Sequence, residues 1–428
     1  MEFIKTVNDV VQYVLGLGPS VMLPIMIFII ALIFRVKIGE AIRSGITIGI
    51  AMIGVNLVIG VLSDNIGPAA QEMVKRFGLN LTIVDAGWPA AAAAAWAAPV
   101  AALIIPICLV VNLLLVVIKF TKTVDIDIWN YWHFVASAST AYVVTGGNWG
   151  ISIIAAIINE VIVLKIADKT APIVSEFYGL EGITLPTTST DAYGLLGIPI
   201  GYGISKIPGL NKINISSDTI QKRFGIFGEP MMMGVFIGIL LGVLAGYDVG
   251  KVCQLAMSLG AVMFLMPRMV KILMEGLVPI SEAAKEFLST RFKGREIYLG
   301  LDAALTTGHP ANLATGLLLV PITLLVAVIL PGNKVLPFGD LATIPFYVSL
   351  IVGSRKGNIF HSVLTGTVVI AIGLLLATNF APVHTQMMEG VGNKLVEQGT
   401  TISSLDVGGN VIHWVILKLS ELYQSIAG

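Results

Sequence analysis

The chain has 428 residues, 56% of them hydrophobic and 12% charged, and its 26 basic and 26 acidic residues balance to zero net charge. A soluble domain carries about 25% charged residues, so this composition, with a mean hydropathy of +0.88, excludes an ordinary soluble enzyme. No basic block suggests nucleic acid, and the 45 glycines suit close helix packing and broken helices in a bilayer.

The apolar run from Val10 to Phe34 is too long for a signal-peptide core and reads as a first membrane helix. Ten spans are predicted. The first half gives 12–34, 42–63, 97–118, 128–145 and 149–167, and the second gives 228–246, 252–274, 312–331, 341–354 and 358–380. Residues 1–167 form a first repeat and 228–380 a second, joined by a linker, 168–227, that is half polar and half apolar. A mostly polar tail, 381–428, contains one amphipathic stretch, Val411 to Leu422. Cys108 and Cys253 lie in apolar runs and are expected to be packed thiols rather than a disulfide.

The halves repeat. Pro19 and Pro230, Gly39 and Gly250, and Pro68 and Pro279 are each 211 positions apart. Pro106 and Pro321 are 215 apart, while Gly147 and Gly357, and Pro172 and Pro382, are 210 apart. Five spans per half is an odd number, so the second repeat is expected to lie inverted relative to the first. With the N-terminus outside, the inward segments carry 19 of the 26 Lys and Arg, including Arg35, Lys119, Lys165, Arg268 and Lys356. Inverted repeats with a midplane site are a signature of alternating-access transporters.

Each half also holds a segment unsuited to spanning. Gly67 to Phe77 and Val278 to Phe287 read as short amphipathic helices opened by proline at the interface. After each comes an Asp-bearing stretch, Val84-Asp85-Ala-Gly-Trp88-Pro and Leu301-Asp302-Ala, read as re-entrant hairpins near 80–97 and 296–311. An Asp at membrane depth is a functional-site hypothesis by default. Asp85 and Asp302 are therefore candidate acceptors for substrate hydroxyls; the alternative is an N-cap for the following helix. Trp88 is a candidate apolar face for the C–H side of a polyol, or else an interface anchor.

His133, in the crowded run Asp127-Ile-Trp-Asn-Tyr-Trp-His, is a candidate cavity residue or a hydrogen-bonded structural one. His309 follows Asp302 by seven residues, and its alternative is a backbone cap. His361, His384 and His413 fit no metal spacing and read as structural. In the linker, Glu181 stands between glycines, and Thr187, Thr188, Ser189, Thr190 and Asp191 enter a Gly-rich apolar run; this reads as another hairpin tip able to bond a polyol, with a solvated loop as the alternative. There is no Walker-type loop, no HExxH, no CxxC and no Ser-His-Asp order. No metal or cofactor is expected, and no hydrophilic domain carries a Cys or His able to relay a phosphoryl group.

The runs Gly18-Pro-Ser-Val-Met-Leu-Pro24, Asp64-Asn-Ile-Gly-Pro-Ala-Ala70, Val84-Asp-Ala-Gly-Trp-Pro89, Val124-Asp-Ile-Asp-Ile-Trp-Asn130, Gln221-Lys-Arg-Phe-Gly-Ile-Phe-Gly-Glu-Pro230 and Val335-Leu-Pro-Phe-Gly-Asp-Leu-Ala-Thr343 resemble the galactitol-type enzyme IIC. That family supplies the membrane subunit of the bacterial phosphoenolpyruvate-dependent sugar phosphotransferase system and is related to the ascorbate-type subunit. The resemblance implies a homodimer in the bacterial inner membrane with an elevator-like motion. It also implies a separate cytoplasmic IIB protein that phosphorylates the substrate from a phosphocysteine, itself charged through a IIA protein. Pocket positions of the related fold fall near Asp85–Trp88, His133, the Pro186–Thr188 turn and Asp302. Thr187 and Thr188 stand where galactitol-type members often carry His-Gly, which leaves both galactitol and pentitols open.

The expected fold is an all-α polytopic membrane protein of about 10–11 transmembrane helices in two inverted repeats, with amphipathic interfacial helices and re-entrant hairpins. The expected function is translocation of a sugar alcohol coupled to phosphorylation by IIB, with Asp85, His133, Glu181 and Asp302 holding hydroxyls. An ion-coupled polyol or sugar carrier using the two aspartates is the alternative. A membrane enzyme or receptor lacks any supporting nucleophile, metal or cofactor pattern.

Overall fold

The computed structural model describes residues 19–78, 81–217, 229–291, 296–337, 339–389, 394–397 and 399–427, with two isolated positions, 222 and 226. The first series of elements is α1 (Pro19–Ile33), α2 (Ile38–Arg76), β1 (Ile83–Asp85), α3 (Gly87–Ala97), α4 (Ala101–Val117), β2 (Thr123–Asp125), α5 (Tyr131–Val144), α6 (Trp149–Tyr178), β3 (Ile183–Thr184) and α7 (Thr188–Ile204). The second is α8 (Pro230–Ala245), α9 (Val249–Arg291), β4 (Tyr298–Gly300), α10 (Ala304–Thr307), α11 (Pro310–Ile329), β5 (Val335–Leu336), α12 (Ile344–Ser354), α13 (Ile359–Met388), α14 (Lys394–Glu397), β6 (Thr401–Ser403) and α15 (Val411–Ala427). Apart from the small α14, the two series run in the same order. The same capping chemistry opens one matched pair of long helices: Asn148 accepts from the Ile151 amide before α6, and Asn358 from the His361 amide before α13.

The chain is a helical, polytopic membrane protein. Among the described residues five helices are long and apolar enough to cross a bilayer, within Ile38–Val58, Trp149–Tyr178, Val249–Leu277, Pro310–Ile329 and Ile359–Met388. Shorter apolar helices occupy Leu103–Val117, Pro230–Ala245 and Leu341–Ser354. On α2, Ile42, Ile46, Ile50, Ile53 and Leu57 are exposed along one face, as expected where lipid replaces water. Helices α8 and α9 pack closely: a Cβ at Gly238 would lie 2.5 Å from the Ala256 Cα.

Two small parallel sheets hold the two series together. In one, the strand order is β5-β1-β6, with Val84 in register with Leu336 and Ile402. In the other it is β2-β4-β3, with Leu299 in register with Val124 and Ile183. Each sheet takes its central strand from one half of the chain and both flanking strands from the other. The ladders satisfy the backbone of non-helical segments that would otherwise be costly at membrane depth.

Four sequence expectations change here. Pro68 and Pro279 do not open separate interfacial helices but lie inside the continuous helices α2 and α9. A proline removes one helical hydrogen bond, and tertiary packing offsets that cost on α2: Ile66, Ala69, Ala70 and Met73 are buried in the core. Arg76 also donates from Nη1 to the Val243 and Leu244 carbonyls at 2.6 and 3.2 Å, capping α8. The expected linker is largely structured, containing the end of α6, β3 and α7. The expected tail is built into the core, with every residue from Ile402 to Asn410 buried. Cys108 is packed as expected, whereas Cys253 is exposed on α9.

Candidate functional site

The strand tips converge on one another. Beyond β1, Asp85 accepts from the Gly87 amide at 3.0 Å through Oδ1 and from the Asp340 amide at 3.0 Å through Oδ2. Asp340 in turn accepts from the Trp88 amide at 2.7 Å and from the Asp406 amide at 2.9 Å. Two carboxylates thus tie together the tips following β1, β5 and β6. Gly87 has φ +78°, and a Cβ there would lie 2.9 Å from the Gly339 carbonyl oxygen, so the two tips pass backbone against backbone.

The other sheet is tied by similar chemistry. Asp125 Oδ1 accepts from the Asn130 side chain at 3.2 Å, and Asp127 Oδ1 accepts from the Trp129 amide at 3.1 Å. Thr187 donates to Asn130 Oδ1 at 3.1 Å and accepts from the Ala303 amide at 3.0 Å, joining the tips after β2, β3 and β4. Asp302 Oδ1 accepts from the Ala304 amide at 2.7 Å.

Between the two sets of tips and α2 lies a cavity of about 110 Å³. Met52, Val55 and Asn56 of α2 form one wall. The carboxylates of Asp127, Asp302 and Asp406, the His133 imidazole, and the hydroxyls of Thr187, Ser189 and Thr343 supply its polar groups. Trp88, Trp129, Trp132 and Phe346 supply its aromatic surface. Trp88 and Trp129 meet edge to face at 6.4 Å, and Trp132 lies against the His133 ring at 3.8 Å. His133 Nε2 is 2.7 Å from Asp406 Oδ1, and Tyr347 donates to the other oxygen of Asp406 at 3.4 Å. Carboxylates accept from hydroxyls strongly in such a low-dielectric site, and indole faces suit C–H surfaces. The lining fits a neutral polyhydroxylated molecule. Among the described residues no group of His, Cys, Asp or Glu is arranged to hold a metal ion.

A family model described as "EIIC-GAT: PTS system sugar-specific permease component" matches residues 13–399. The chain belongs to this family. The EIIC-GAT chain is similar to the "PTS system galactitol-specific EIIC component" of Escherichia coli strain K12, at 41% identity over 96% of this chain and 91% of that one. The protein of the same description from Escherichia coli O157:H7 gives the same figures. A "Putative permease IIC component" of strain K12 is 39% identical over 96% of this chain and 94% of its own length. This EIIC-GAT protein is accordingly a multi-pass inner-membrane permease component.

Of the residues singled out in its sequence, Trp88, His133, Thr187 and Asp302 line the cavity. Asp85 is fully buried but stands behind the wall, with both oxygens engaged by backbone amides. Thr188 is also buried outside the lining, against Asn159 at 3.3 Å. Glu181 is exposed in the turn before β3, because β3 pulls the chain inward only from Ile183. His309 caps α11, accepting from the Ala311 amide at 3.2 Å, and packs against Phe177 and Tyr178. His413 bonds Ser137 at 3.1 Å, His361 bonds the Leu210 carbonyl at 2.9 Å, and His384 is buried against Phe380.

Ser189 of the predicted hairpin tip also lines the cavity, whereas Asp127, Asp406, Thr343 and the two further tryptophans of the EIIC-GAT cavity are not among the sequence candidates. Asp406 had a signal: Leu405-Asp406-Val407-Gly408-Gly409 repeats the pattern of Val84-Asp85-Ala86-Gly87, an apolar residue, an Asp and a glycine shortly after.

Proposed function

We propose that this EIIC-GAT protein translocates a sugar alcohol, galactitol or a related polyol, coupled to phosphorylation by a separate IIB protein. The observation that carries the proposal is the cavity itself, where three carboxylates, an imidazole, three hydroxyls and three indoles surround one small space. Asp127, Asp302 and Asp406 accept from substrate hydroxyls, Thr187, Ser189 and Thr343 exchange hydrogen bonds with others, and Trp88 and Trp129 cover carbon. His133 is held in orientation by Asp406. Asp85 and Asp340 brace the tips from behind.

The cavity lining contains no cysteine, which is consistent with a phosphoryl group arriving from a phosphocysteine of IIB, charged through IIA. Product phosphate would meet three carboxylates, so its return to the same pocket is disfavoured. The twofold recurrence of the element series supports an inverted-repeat origin. The position of the cavity, between α2 and the interlocked strand tips, suits an elevator motion of the tip-bearing part against a scaffold containing α2 and α9, in a homodimer.

The test is uptake of labelled galactitol and several pentitols by cells with and without the matching IIA and IIB proteins. Phosphorylated label appearing only with IIB is the expected outcome and identifies the substrate. Unmodified polyol accumulating against its gradient without IIB would replace this reading by an ion-coupled carrier.

A further inference from the structure

Among the described residues, three that are not glycine have positive φ: Arg35 at +64°, Lys119 at +65° and Lys356 at +51°. All three are basic, exposed, and placed just after a helix, following α1, α4 and α12. Two have counterparts at the repeat spacing. Arg35 and Gly246 are 211 positions apart, and Lys356 and Gly146 are 210 apart. The paired turns share one hydrogen-bond pattern. Arg35 and Val36 donate to the Leu32 and Ala31 carbonyls at 3.0 and 2.9 Å, as Gly246 and Tyr247 do to Val243 and Gly242 at 3.1 and 3.0 Å. Lys356 and Gly357 donate to Gly353 and Val352 at 2.9 and 3.0 Å, as Gly146 and Gly147 do to Val143 and Tyr142 at 3.4 and 2.8 Å.

Glycine adopts this left-handed conformation freely, and a residue with a Cβ does not. A basic residue after a helix also meets the negative end of its dipole, but that benefit is equally open at α8 and α5, where glycine stands. The difference between the copies follows the side of the molecule. Phe34 and Val36, flanking Arg35, pack in a cluster with Val124, Ile183 and Leu299 of the β2-β4-β3 sheet. Phe120, next to Lys119, accepts from Lys165 through its carbonyl, and Gly357, next to Lys356, lies against Phe177 at the end of α6, which leads into β3. Gly246 instead lies against Arg76, at the end of α2, which leads into β1. None of the three basic residues makes an ion pair among the described residues.

Arg35 and Lys119 differ from Lys356 in their neighbours. Ile33 and Ile38 are 58% and 65% exposed around Arg35, and Val117 and Ile118 are 61% and 66% exposed before Lys119. These apolar residues mark the edge of the hydrocarbon region, where a long basic side chain reaches the headgroups. Lys356 follows α12, which is buried from Ile344 to Gly353 except at Phe346. We propose that Arg35 and Lys119 bind the headgroups of net anionic phospholipids and seat the β2-β4-β3 side of the protein on an anionic leaflet, the left-handed turns being retained for the charges they carry there.

The test uses the full-length protein purified in neutral detergent, and thermal unfolding with added phosphatidylglycerol, phosphatidylcholine or inorganic phosphate. In detergent alone the Arg35→Gly/Lys119→Gly double variant is expected to unfold about 2 °C or more above the parent, because glycine relaxes both turns. Phosphatidylglycerol is expected to raise the parent's midpoint, phosphatidylcholine and phosphate to leave it unchanged, and the double variant to lose most of the rise. Lys356→Gly relaxes a similar turn and is expected to keep the rise. The proposal fails if the double variant keeps the full rise, if Lys356→Gly loses it equally, or if inorganic phosphate protects the parent as phosphatidylglycerol does.

Discussion

His133 Nε2 lies 2.7 Å from Asp406 Oδ1, joining α5 to a segment 273 residues further along the chain. Both side chains are nearly excluded from solvent, at 3% and 7% exposure, and both line the cavity. Removing one member of such a pair leaves the other without its partner, at a cost of about 3–5 kcal/mol where the pair is charged. Asp406→Ala and His133→Ala should therefore each lower thermal stability strongly, and the double variant by less than their sum. A double-mutant cycle on the unfolding midpoint checks this; strict additivity would show the contact to be energetically idle.

Asp302 combines two duties, capping Ala304 through Oδ1 and presenting its carboxylate to the cavity. Asp302→Asn keeps an oxygen for the amide and removes the charge. Polyol binding by the purified protein is expected to weaken about 10-fold or more, with the fold intact, since a hydrogen bond to a charged group contributes about 1.5–3 kcal/mol. Unchanged affinity by calorimetry would remove Asp302 from the binding set.

Thr187 and Glu181 are six positions apart but differently placed, one in the cavity wall and the other exposed in a turn. Thr187→Ala is expected to reduce uptake and loosen the tips after β2 and β4, because its hydroxyl serves both Asn130 and the Ala303 amide. Glu181→Gln is expected to leave substrate affinity within about twofold of the parent, as for a surface change. Initial uptake rates across a substrate series separate the two.

Gly87 sits at φ +78° with the Gly339 backbone 2.9 Å from where a Cβ would stand. Gly87→Ala is expected to destabilise the protein by about 2 kcal/mol or more, combining left-handed strain with a backbone clash. The readout is the yield of monodisperse protein and its unfolding midpoint. A parent-like midpoint would mean that the two tips separate readily.

Much of the architecture is legible in the chain as written. Long apolar runs with few charges have no stable place in water, so the polytopic membrane class follows from composition. The recurrence of proline and glycine at near-constant spacing signals two similar series of elements. Aspartates inside apolar stretches are costly unless something engages them, which marks Asp85 and Asp302 in the sequence itself. The aromatic run ending at His133 pointed to the same region for the same reason.

Only the tertiary structure decided which of these groups meet. Asp85 and Asp302 carry similar local signals, yet one has both oxygens engaged by backbone amides and the other faces the cavity. Pro68 reads locally as a helix start, but burial of Ile66, Ala69 and Met73 keeps the helix continuous through it. Asp406, in a stretch whose polarity suggests a tail, is carried into the site because β6 pairs with β1 more than 300 residues earlier in the chain. Local sequence sets how costly a buried carboxylate is. Which partner offsets that cost depends on long-range strand pairing, and that is a property of the assembled fold alone.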